Sequence, residues 1–383
     1  MVIIVSDFKK FYKYMVKKID YKSSGVHYDL LDPFKIAAQK AAKSTDGNID
    51  YLKIKEVAGS RGESAFLIDM ECCYLAHVEE GLGTKNLIAD EMYKITGKSY
   101  YDQIAQDAVG AIVNDLITLG ALPVSIAMHL AVGDSHWFSD SKRQNDLVKG
   151  WKKACDLSSA IWGGGETPTL KGIIHDNTVL LSGSAVGIIK DKKYLISSKN
   201  IKDGDRIILL ESSGIHANGA TLCRKIADSL KDGYKTKMSD GRMYGEALLD
   251  ATIIYAPILK DCVTNNIKLH YISHITGHGI RKLMRAVEPF SYVIEKIFKP
   301  LPVFDFIQKH SGLSDKEMYG TFNMGAGFAL YADKKDVKKI LEICKKNKIK
   351  AIDAGYIKKE KSEKSVKILP KKIEFEGKSL KVR

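Results

Sequence analysis

Glycine-rich loops follow apolar, strand-like runs in both halves of this chain. The strand predicted at 66–78 leads into EEGLGTK at 79–85, and the strand predicted at 206–211 leads into SSGIHANG at 212–219. Between and after these loops, apolar residues recur with helical spacing, most clearly at 101–119 and 244–264. Such an order of strands and helices predicts a mixed α/β fold of the α+β type.

The remaining predicted elements complete two similar halves. They are helices at 33–43, 140–160, 220–230, 279–287 and 335–347, and strands at 124–132, 178–189, 269–275, 290–296, 326–332 and 350–357. The hydrophobic pattern breaks at 190–193, which reads KDKK, and the chain of 383 residues is long enough for two domains. We therefore expect an N-terminal extension (1–20), a first domain (21–190), a second domain (191–360) and a charged, weakly patterned Lys-rich tail (361–383).

The net charge of the chain is +14, from 60 Lys and Arg residues against 46 Asp and Glu residues. A basic chain can bind nucleic acid, but this excess consists mostly of single Lys residues toward the C-terminus, and no nucleic-acid motif accompanies them. We interpret the charge as a solvated surface and expect no nucleic-acid partner. A steep salt dependence of DNA or RNA affinity would favour the other interpretation.

Apolar runs in the sequence are too short to span a bilayer, so we expect no membrane contact. The first 18 residues place a short apolar patch before the basic residues, which is the reverse of a signal peptide, and we expect a cytoplasmic protein. None of the six cysteines forms a C-x-x-C pair, so neither a disulfide framework nor a zinc site is predicted.

The helix predicted at 101–119 carries carboxylates on or beside its apolar face. At about 100° per residue, Asp115 falls among the apolar side chains, whereas Asn114 and Asp107 lie at the edge of that face. A buried carboxylate is costly unless it is paired with a cation. Two interpretations remain open: an ion pair with a Lys or Arg inside the fold, or a Mg²⁺ site built from oxygen ligands.

Several loops have a composition typical of ligand binding. The glycines of EEGLGTK let the backbone approach a ligand, and Lys85 offers positive charge to a phosphate. The GGGET loop at 163–167 adds Glu166 as a cation ligand or base, although a mobile loop is the alternative. SSGIHANG and HITGHG (274–279) each follow a strand and precede a helix, which suits an anion cradle, and each holds a histidine that can act near neutral pH.

Taken in order, these motifs resemble those of phosphoribosylformylglycinamidine cyclo-ligase, also called aminoimidazole ribonucleotide synthetase. The resemblance extends from about Tyr21 to Tyr356 and includes YKSSGVH, GLGTK, DAVGAIVNDL with GALP, GGGET, SSGIHANG with LCRKI, HITGHG and MYGTFNMGAG. It implies two α/β domains, the first of which pairs strands across a β-barrel-like homodimer interface with ATP bound nearby.

The resemblance also implies an activity, the ATP-dependent ring closure of formylglycinamidine ribonucleotide in purine biosynthesis. ATP phosphorylates the formyl amide oxygen, the amidine nitrogen attacks the activated carbon, and phosphate leaves. An amide oxygen is a very poor leaving group until it is phosphorylated. Mg²⁺ and lysine neutralise the charge on the transferring phosphoryl group.

Functional residues carried over from the resemblance fall into four sets. The catalytic residues are His216, His274, Lys85 and Asp115. The ATP-binding residues are Tyr21, Lys22, Gly25, Glu80, Gly81, Gly83, Thr84, Lys85, Asn114, Gly164, Gly165 and Glu166. The ribonucleotide-binding residues are Ser213, His216, Asn218, Thr276, Gly277, His278 and Asn323, and the Mg²⁺ ligands are Asp107, Asp115 and Glu80.

The chain departs from the family pattern at several of these motifs. Glu80 replaces the aspartate of the usual Thr-Asp-Gly-Val-Gly-Thr-Lys loop, Thr169 stands where a second glutamate is expected, and His278 stands where a glycine is expected. Residues 281–285 read RKLMR instead of a Glu-Asn-(Ile/Leu)-Pro run. The imidazole of His278 either points outward or donates to the substrate phosphate.

These departures leave two alternatives to the cyclo-ligase activity. One is a sister ATP-dependent phosphoryl-transfer enzyme with the same architecture, such as thiamine-monophosphate kinase. Selenophosphate synthetase is disfavoured because the glycine-rich stretch 59–62 contains no cysteine. The other alternative is a degenerate, non-catalytic homologue, which need not bind Mg-ATP.

Overall fold

The computed structural model describes residues 19, 20, 25, 27–360 and 363–380. Tyr21, Lys22 and nearly all of the expected extension at 1–20 lie outside the described residues. Each helix within the described part is too short or too polar to cross a membrane.

The first half builds a six-stranded sheet in the order β1-β2-β3-β6-β4-β5. Its helices and strands are α1 (Tyr28–Lys43), β1 (Lys55–Glu56), β2 (Phe66–Asp69), β3 (Tyr74–Gly81), α2 (Lys85–Thr96), α3 (Tyr101–Leu116), β4 (Leu122–Val132), α4 (Ser141–Ser158), β5 (Ile161–Glu166) and β6 (Val179–Ile189). All neighbouring strands are antiparallel except β4 and β5.

The second half builds a seven-stranded sheet in the order β13-β12-β9-β11-β7-β10-β8. Its elements are β7 (Arg206–Glu211), α5 (Ala220–Ser229), α6 (Tyr244–Leu248), α7 (Ala256–Thr264), β8 (Tyr271–His274), β9 (Phe290–Ile294), α8 (Pro302–Ser311), α9 (Asp315–Tyr319), β10 (Ala326–Ala332), α10 (Val337–Lys346), β11 (Ala351–Lys359), β12 (Ser365–Ile368) and β13 (Ile373–Glu376). Every residue of β8, β9 and β10 is buried, so this sheet lies inside the protein.

Helix α3 is the central element because it packs against both halves. Ile112 and Leu116 approach glycines of β6 on one side. On the other side Gly110 faces Thr252 so closely that a Cβ at this position would lie 2.8 Å from the threonine methyl group. Glycine therefore allows the second half to touch α3 directly.

The first sheet has one covered face and one open face. Along β6 the buried residues alternate with half-exposed ones, as expected when a single face is packed. Apolar side chains remain on the open side: Leu180 is 48% exposed, Val124 44% and Val186 36%. This open face distinguishes the first sheet from the second, in which β8, β9 and β10 are buried throughout.

The strands predicted at 206–211 and 326–332 are confirmed, and the helix predicted at 101–119 is confirmed with a 3₁₀ turn at its end. The single strand predicted at 66–78 is instead the hairpin of β2 and β3, with a turn closed by the hydrogen bond from Met70 N to Cys73 O. The helix predicted at 279–287 is a 3₁₀ helix at 279–284.

Two further expectations differ from the structure. The helix predicted at 244–264 is divided into α6 and α7 by residues 249–255, which bind α3 through their backbone. The stretch expected to be a weakly patterned tail contains β12 and β13, the last two strands of the second sheet. Lysines hide the period-two pattern there, in which Val366 and Ile368 are fully buried.

Candidate active site

Lys85 and Asp107 form a buried ion pair where the two halves meet. Lys85 is the first residue of α2, and its Nζ lies 2.7 Å from Asp107 Oδ2, with neither side chain exposed. Asp107 Oδ1 accepts hydrogen bonds from the backbone N (2.8 Å) and the hydroxyl (2.6 Å) of Thr252. Burial raises the pKa of Asp107 although the Lys85 charge opposes that shift. Asp107 therefore joins α3 to the second half, and Lys85 compensates the charge of its carboxylate.

Asn114 makes the next junction between the halves. Its amide nitrogen donates to Ile253 O at 2.8 Å, and its amide oxygen accepts from Tyr255 N at 3.0 Å. Since both ends of the amide are occupied by backbone groups, the structure assigns the predicted ATP-binding Asn114 to holding residues 253–255.

Asp115 and Glu80 form a second cluster on α3. Eight residues separate Asp107 from Asp115, which corresponds to about 12 Å along a helix, so the two carboxylates cannot bind one ion together. Asp115 Oδ1 accepts a hydrogen bond from His274 Nδ1 at 2.6 Å, and Glu80 at the end of β3 hydrogen-bonds to Asp115. Of the three carboxylates expected to bind Mg²⁺, the structure brings Glu80 and Asp115 together and places Asp107 apart from them.

The electrostatics of this pair are unequal. Burial, followed by the neighbouring Asp115 charge, raises the pKa of Glu80 to about 8. Burial also disfavours the charged form of Asp115, but its hydrogen bond to His274 and nearby cationic groups outweigh that effect and lower its pKa. Without a cation, the proton of the pair therefore belongs to Glu80 at neutral pH.

Two basic residues face the carboxylate pair and were absent from the sequence-predicted site. Lys282 and Arg285 lower the pKa of Asp115, and burial, then the Arg285 charge, lowers the pKa of Lys282 to about 8. Arg285 is fixed by hydrogen bonds to Ser64 Oγ (2.5 Å) and Gly62 O (3.0 Å). In the sequence, both residues belong to the run RKLMR at 281–285, which follows HITGHG and stands where the family has a Glu-Asn run. That departure from the family pattern could have pointed to them.

The SSGIHANG loop is braced from inside by two of the residues expected at the site. His216 is 2% exposed, has a positive φ of 56°, and accepts from Ser213 N through Nε2 at 3.2 Å. Burial, then the charge of His274, holds the pKa of His216 well below its usual range. Asn323 Oδ1 accepts a hydrogen bond from Ser212 Oγ at 2.8 Å, and Asn323 Nδ2 donates one to Gly214 O at 2.9 Å. His216 and Asn323 thus brace this loop through their hydrogen bonds.

Asn218 and HITGHG bring two second-half loops together. Asn218 Oδ1 accepts from Gly277 N at 3.2 Å, beside the half-buried Thr276. His278 does not point into solvent as one interpretation expected: its Nδ1 lies 3.4 Å from Arg281 Nη2. Burial, then the Arg281 charge, lowers the pKa of His278 to about 3, so this imidazole is neutral near physiological pH.

The predicted phosphate loop lies between the two clusters on α3. Gly83 has a positive φ of 76° with open space beside it, and Gly81 ends β3 next to Glu80. Thr84 Oγ1 lies 3.0 Å from Thr221 Oγ1 of α5, which ties this loop to the second half. The structure therefore places Gly81, Gly83 and Thr84 beside the Glu80 cluster.

The GGGET residues lie elsewhere on the sheet. Residues 163–166 of this motif form the exposed end of the edge strand β5 instead of the expected loop. The register places Glu80, Gly183, Met128 and Gly165 in one row across four strands. Three strand spacings separate Gly165 from Glu80 by roughly 14 Å. Gly164, Gly165 and Glu166 thus share a sheet with the carboxylate pair without touching it, and Gly25 is exposed.

Two α/β halves with a carboxylate–histidine cluster between them define a protein of the AIR synthase type. The N-terminal domain family of AIR synthase related proteins matches residues 62–189, and the corresponding C-terminal domain family matches residues 202–368. AaThiL complexed with AMPPCP and TMP has the same fold, with a TM-score of 0.54 and 13% identity over 87% of this chain and 95% of that one.

Two relatives with similar sequences identify the family within this class. The chain is 33% identical to phosphoribosylformylglycinamidine cyclo-ligase from Methanococcus maripaludis over 341 residues, which cover 88% of this chain and 92% of that protein. It is 31% identical to the protein of the same name from Prochlorococcus marinus over 359 residues, which cover 92% of this chain and 99% of that protein. The chain belongs to the phosphoribosylformylglycinamidine cyclo-ligase family.

Proposed function

We propose that this protein catalyses the ATP-dependent closure of formylglycinamidine ribonucleotide to 5-aminoimidazole ribonucleotide. The observation that carries the proposal is the Glu80–Asp115–His274 cluster, which lies between the two halves beside the phosphate loop in a chain of this family. The similarly folded AaThiL binds AMPPCP, an ATP analogue, which supports a nucleotide site in this architecture.

The donor atoms at this cluster fit Mg²⁺, which takes carboxylate oxygens and keeps several waters. Glu80 and Asp115 would hold the ion, whose charge stabilises the transferring phosphoryl group when it is bound. Asp107 does not belong to this set because Lys85 and Thr252 occupy its carboxylate.

His274 orients Asp115 and handles a proton. Because its Nδ1 donates to Asp115, its Nε2 is the nitrogen free to accept a proton. In the proposed reaction Nε2 takes the proton that the amidine nitrogen loses as it attacks the formyl carbon. Lys282 and Arg285 add positive charge beside the carboxylates, where the transferred phosphate would carry negative charge.

Loops of the second half would bind the ribonucleotide phosphate. The backbone at Gly277 and Thr276 precedes the 3₁₀ helix at 279–284, and Asn218 fixes that backbone by accepting from Gly277 N. Ser213 is part of the same loop pair, although its hydroxyl donates to Ala251 O at 2.6 Å. His216, His278 and Asn323 act here as supports for the loops.

Release of ADP by the purified protein tests this activity. We expect ADP to form when formylglycinamidine ribonucleotide, ATP and Mg²⁺ are all present, and only slowly when the ribonucleotide is omitted. The variant Asp115→Asn should lose this activity, whereas the exposed Asp156→Asn should keep it. ADP formation independent of the ribonucleotide would indicate a sister phosphoryl-transfer enzyme, and no Mg-ATP binding would indicate a non-catalytic homologue.

We further propose a homodimer that covers the open face of the first sheet. Exposed apolar residues on that face are unusual for a sheet that faces only water, and β-strand edges and faces of this kind commonly pair with a second copy. Sedimentation at micromolar concentration should give a dimer for the parent protein. Val186→Asp should give a monomer, whereas Val287→Asp, a 55% exposed residue of the second half, should stay dimeric.

A further inference from the structure

Three strand ends of the second sheet converge at the side away from the candidate active site. Ala332 of β10 pairs with Arg206 of β7, and Tyr331 pairs with Tyr271 of β8. The residues that flank these pairs are Asp333, Asp205 and His270. His270 is fixed there because its backbone N donates to Tyr331 O at 2.8 Å. The register of three strands thus brings two carboxylates and one imidazole together.

Asp205 orients the imidazole of His270. Its Oδ2 lies 2.7 Å from His270 Nδ1, and both side chains are 2% exposed. The backbone N of Lys202 donates to the same carboxylate oxygen at 2.8 Å, which holds the carboxylate in position. A carboxylate on Nδ1 fixes the tautomer that carries the proton on Nδ1 and leaves a lone pair on Nε2.

Nε2 of His270 faces the carboxylate of Asp333. The distance from Nε2 to Asp333 Oδ2 is 3.7 Å, which is too long for a hydrogen bond. Two ligands of a tetrahedral zinc ion at bond lengths near 2.05 Å lie about 3.4 Å apart, so a small movement of Asp333 suffices to bind one. A lone pair and a carboxylate that face each other repel, and a cation between them removes that repulsion.

The surroundings leave room for such a cation. Asp333 is 37% exposed, so water can complete the coordination on that side. Lys202 Nζ, 3.8 Å from Asp333 Oδ2 and 61% exposed, is the charged neighbour that would have to turn outward. One carboxylate oxygen from each aspartate and one imidazole nitrogen lie within 4.8 Å of one another.

We infer that His270 and Asp333 bind one divalent transition-metal cation of the Zn²⁺ class, with Asp205 holding the imidazole in position. An imidazole ligand favours Zn²⁺, Co²⁺ or Ni²⁺ over Mg²⁺. His270 immediately precedes β8 and His274 is its last residue, so this site lies roughly 13 Å from the Asp115 cluster. The cation would tie the ends of β7, β8 and β10 together, independently of the proposed ring closure.

Zinc titration of the full-length, chelator-treated protein tests this inference. Cys72 and the half-buried Cys73, whose sulfurs lie 3.7 Å apart, can also bind zinc, so both are replaced by serine in the background used. We expect one equivalent of Zn²⁺ to bind in competition with a chromophoric chelator, and Co²⁺ to give visible d–d absorption. Asp205→Asn, which removes the orienting carboxylate, should weaken binding by 10- to 100-fold, as roughly expected for a partner outside the ligand set.

Matched variants separate this site from incidental binding. Asp333→Asn should lose the bound equivalent and the rise in Tm caused by Zn²⁺. His136→Ala, which removes a 93% exposed histidine that also pairs with an aspartate, should change neither. Asp115→Asn removes any zinc bound at the proposed Glu80–Asp115 site, so the equivalent that depends on Asp333 should remain in that variant.

Since His270 is buried and its replacement can unfold the protein, the half-exposed Asp333 decides the outcome. Zinc binding that is equally tight in the Asp333→Asn variant, or less than one equivalent bound by the background protein, would overturn the inference.

Discussion

Asp107 and Asp115 lie on the same helix, α3, about two turns apart and on neighbouring sides of it, yet their surroundings are opposite in character. Asp107 is fully buried and satisfied by Lys85 and Thr252, whereas Asp115 is 14% exposed and shares its site with Glu80 and His274. The sequence left an internal ion pair and a metal site as alternatives for this helix. The structure places the ion pair at one end, and we propose the metal site at the other.

The difference shows which feature separates a structural carboxylate from a functional one. Cationic and hydrogen-bonding partners cancel the charge of Asp107 within the fold. Asp115 instead lies against a second carboxyl group, and proximity of like charges is unfavourable unless a proton or a metal ion is shared. Such an arrangement is expected where a cation binds.

The largest expected effect concerns stability at the Asp107 end. Asp107→Asn leaves the Lys85 ammonium buried without its partner, so we expect a loss of about 3–5 kcal/mol in the free energy of unfolding. Asp156→Asn, at an exposed ion pair with Lys152, should cost at most about 1 kcal/mol. Urea unfolding of the parent protein and the two variants measures these free energies. A small loss for Asp107→Asn would mean that Lys85 and Asp107 are not a buried pair.

The second effect concerns ligand binding at the Asp115 end. Asp115→Asn should weaken Mg-ATP binding at least about 10-fold, since loss of even an outer partner of a metal site typically costs that much. Its free energy of unfolding should change far less than that of Asp107→Asn. Calorimetric titration with Mg-ATP is the measurement, with Asp156→Asn as control. Unchanged affinity would remove Asp115 from the proposed metal site.

The smallest effect is a pH dependence set by Glu80. Its pKa of about 8 exceeds the ordinary value of 4.5, so the metal-free folded protein binds more protons than the unfolded chain between these values. This contribution to stability is complete below about pH 4.5 and is lost as pH rises toward 8. Mg²⁺ must displace the same proton, so its affinity should rise with pH up to about 8.

Calorimetry in buffers of different ionisation enthalpy should detect close to one proton released per Mg²⁺ bound near pH 7. Glu80→Gln should release none and should flatten the pH dependence of stability. If proton release is the same in the variant, Glu80 does not hold the proton.

Much of this arrangement could be predicted from the sequence because it depends on local pattern and motif order. Glu80, Asp115 and His274 were all identified, as were β7 and β10. What the sequence missed depends on contacts between distant segments. Helix 244–264 is divided because residues 249–255 bind Asp107 and Asn114, which lie more than a hundred residues earlier. His216 was expected in the catalytic and ribonucleotide-binding sets, and the sequence could not show that the fold buries it against Gly327 of β10.

The position of the proposed phosphoryl acceptor gives the most direct test of the central claim. In the proposed reaction ATP phosphorylates the formyl oxygen of the substrate, after which the amidine nitrogen attacks the carbon and the carbon–oxygen bond breaks. Substrate labelled with ¹⁸O at the formyl oxygen should therefore yield labelled inorganic phosphate, one label per 5-aminoimidazole ribonucleotide formed, by mass spectrometry. Product formation with unlabelled phosphate would contradict the account, because the formyl oxygen would then have left without being phosphorylated.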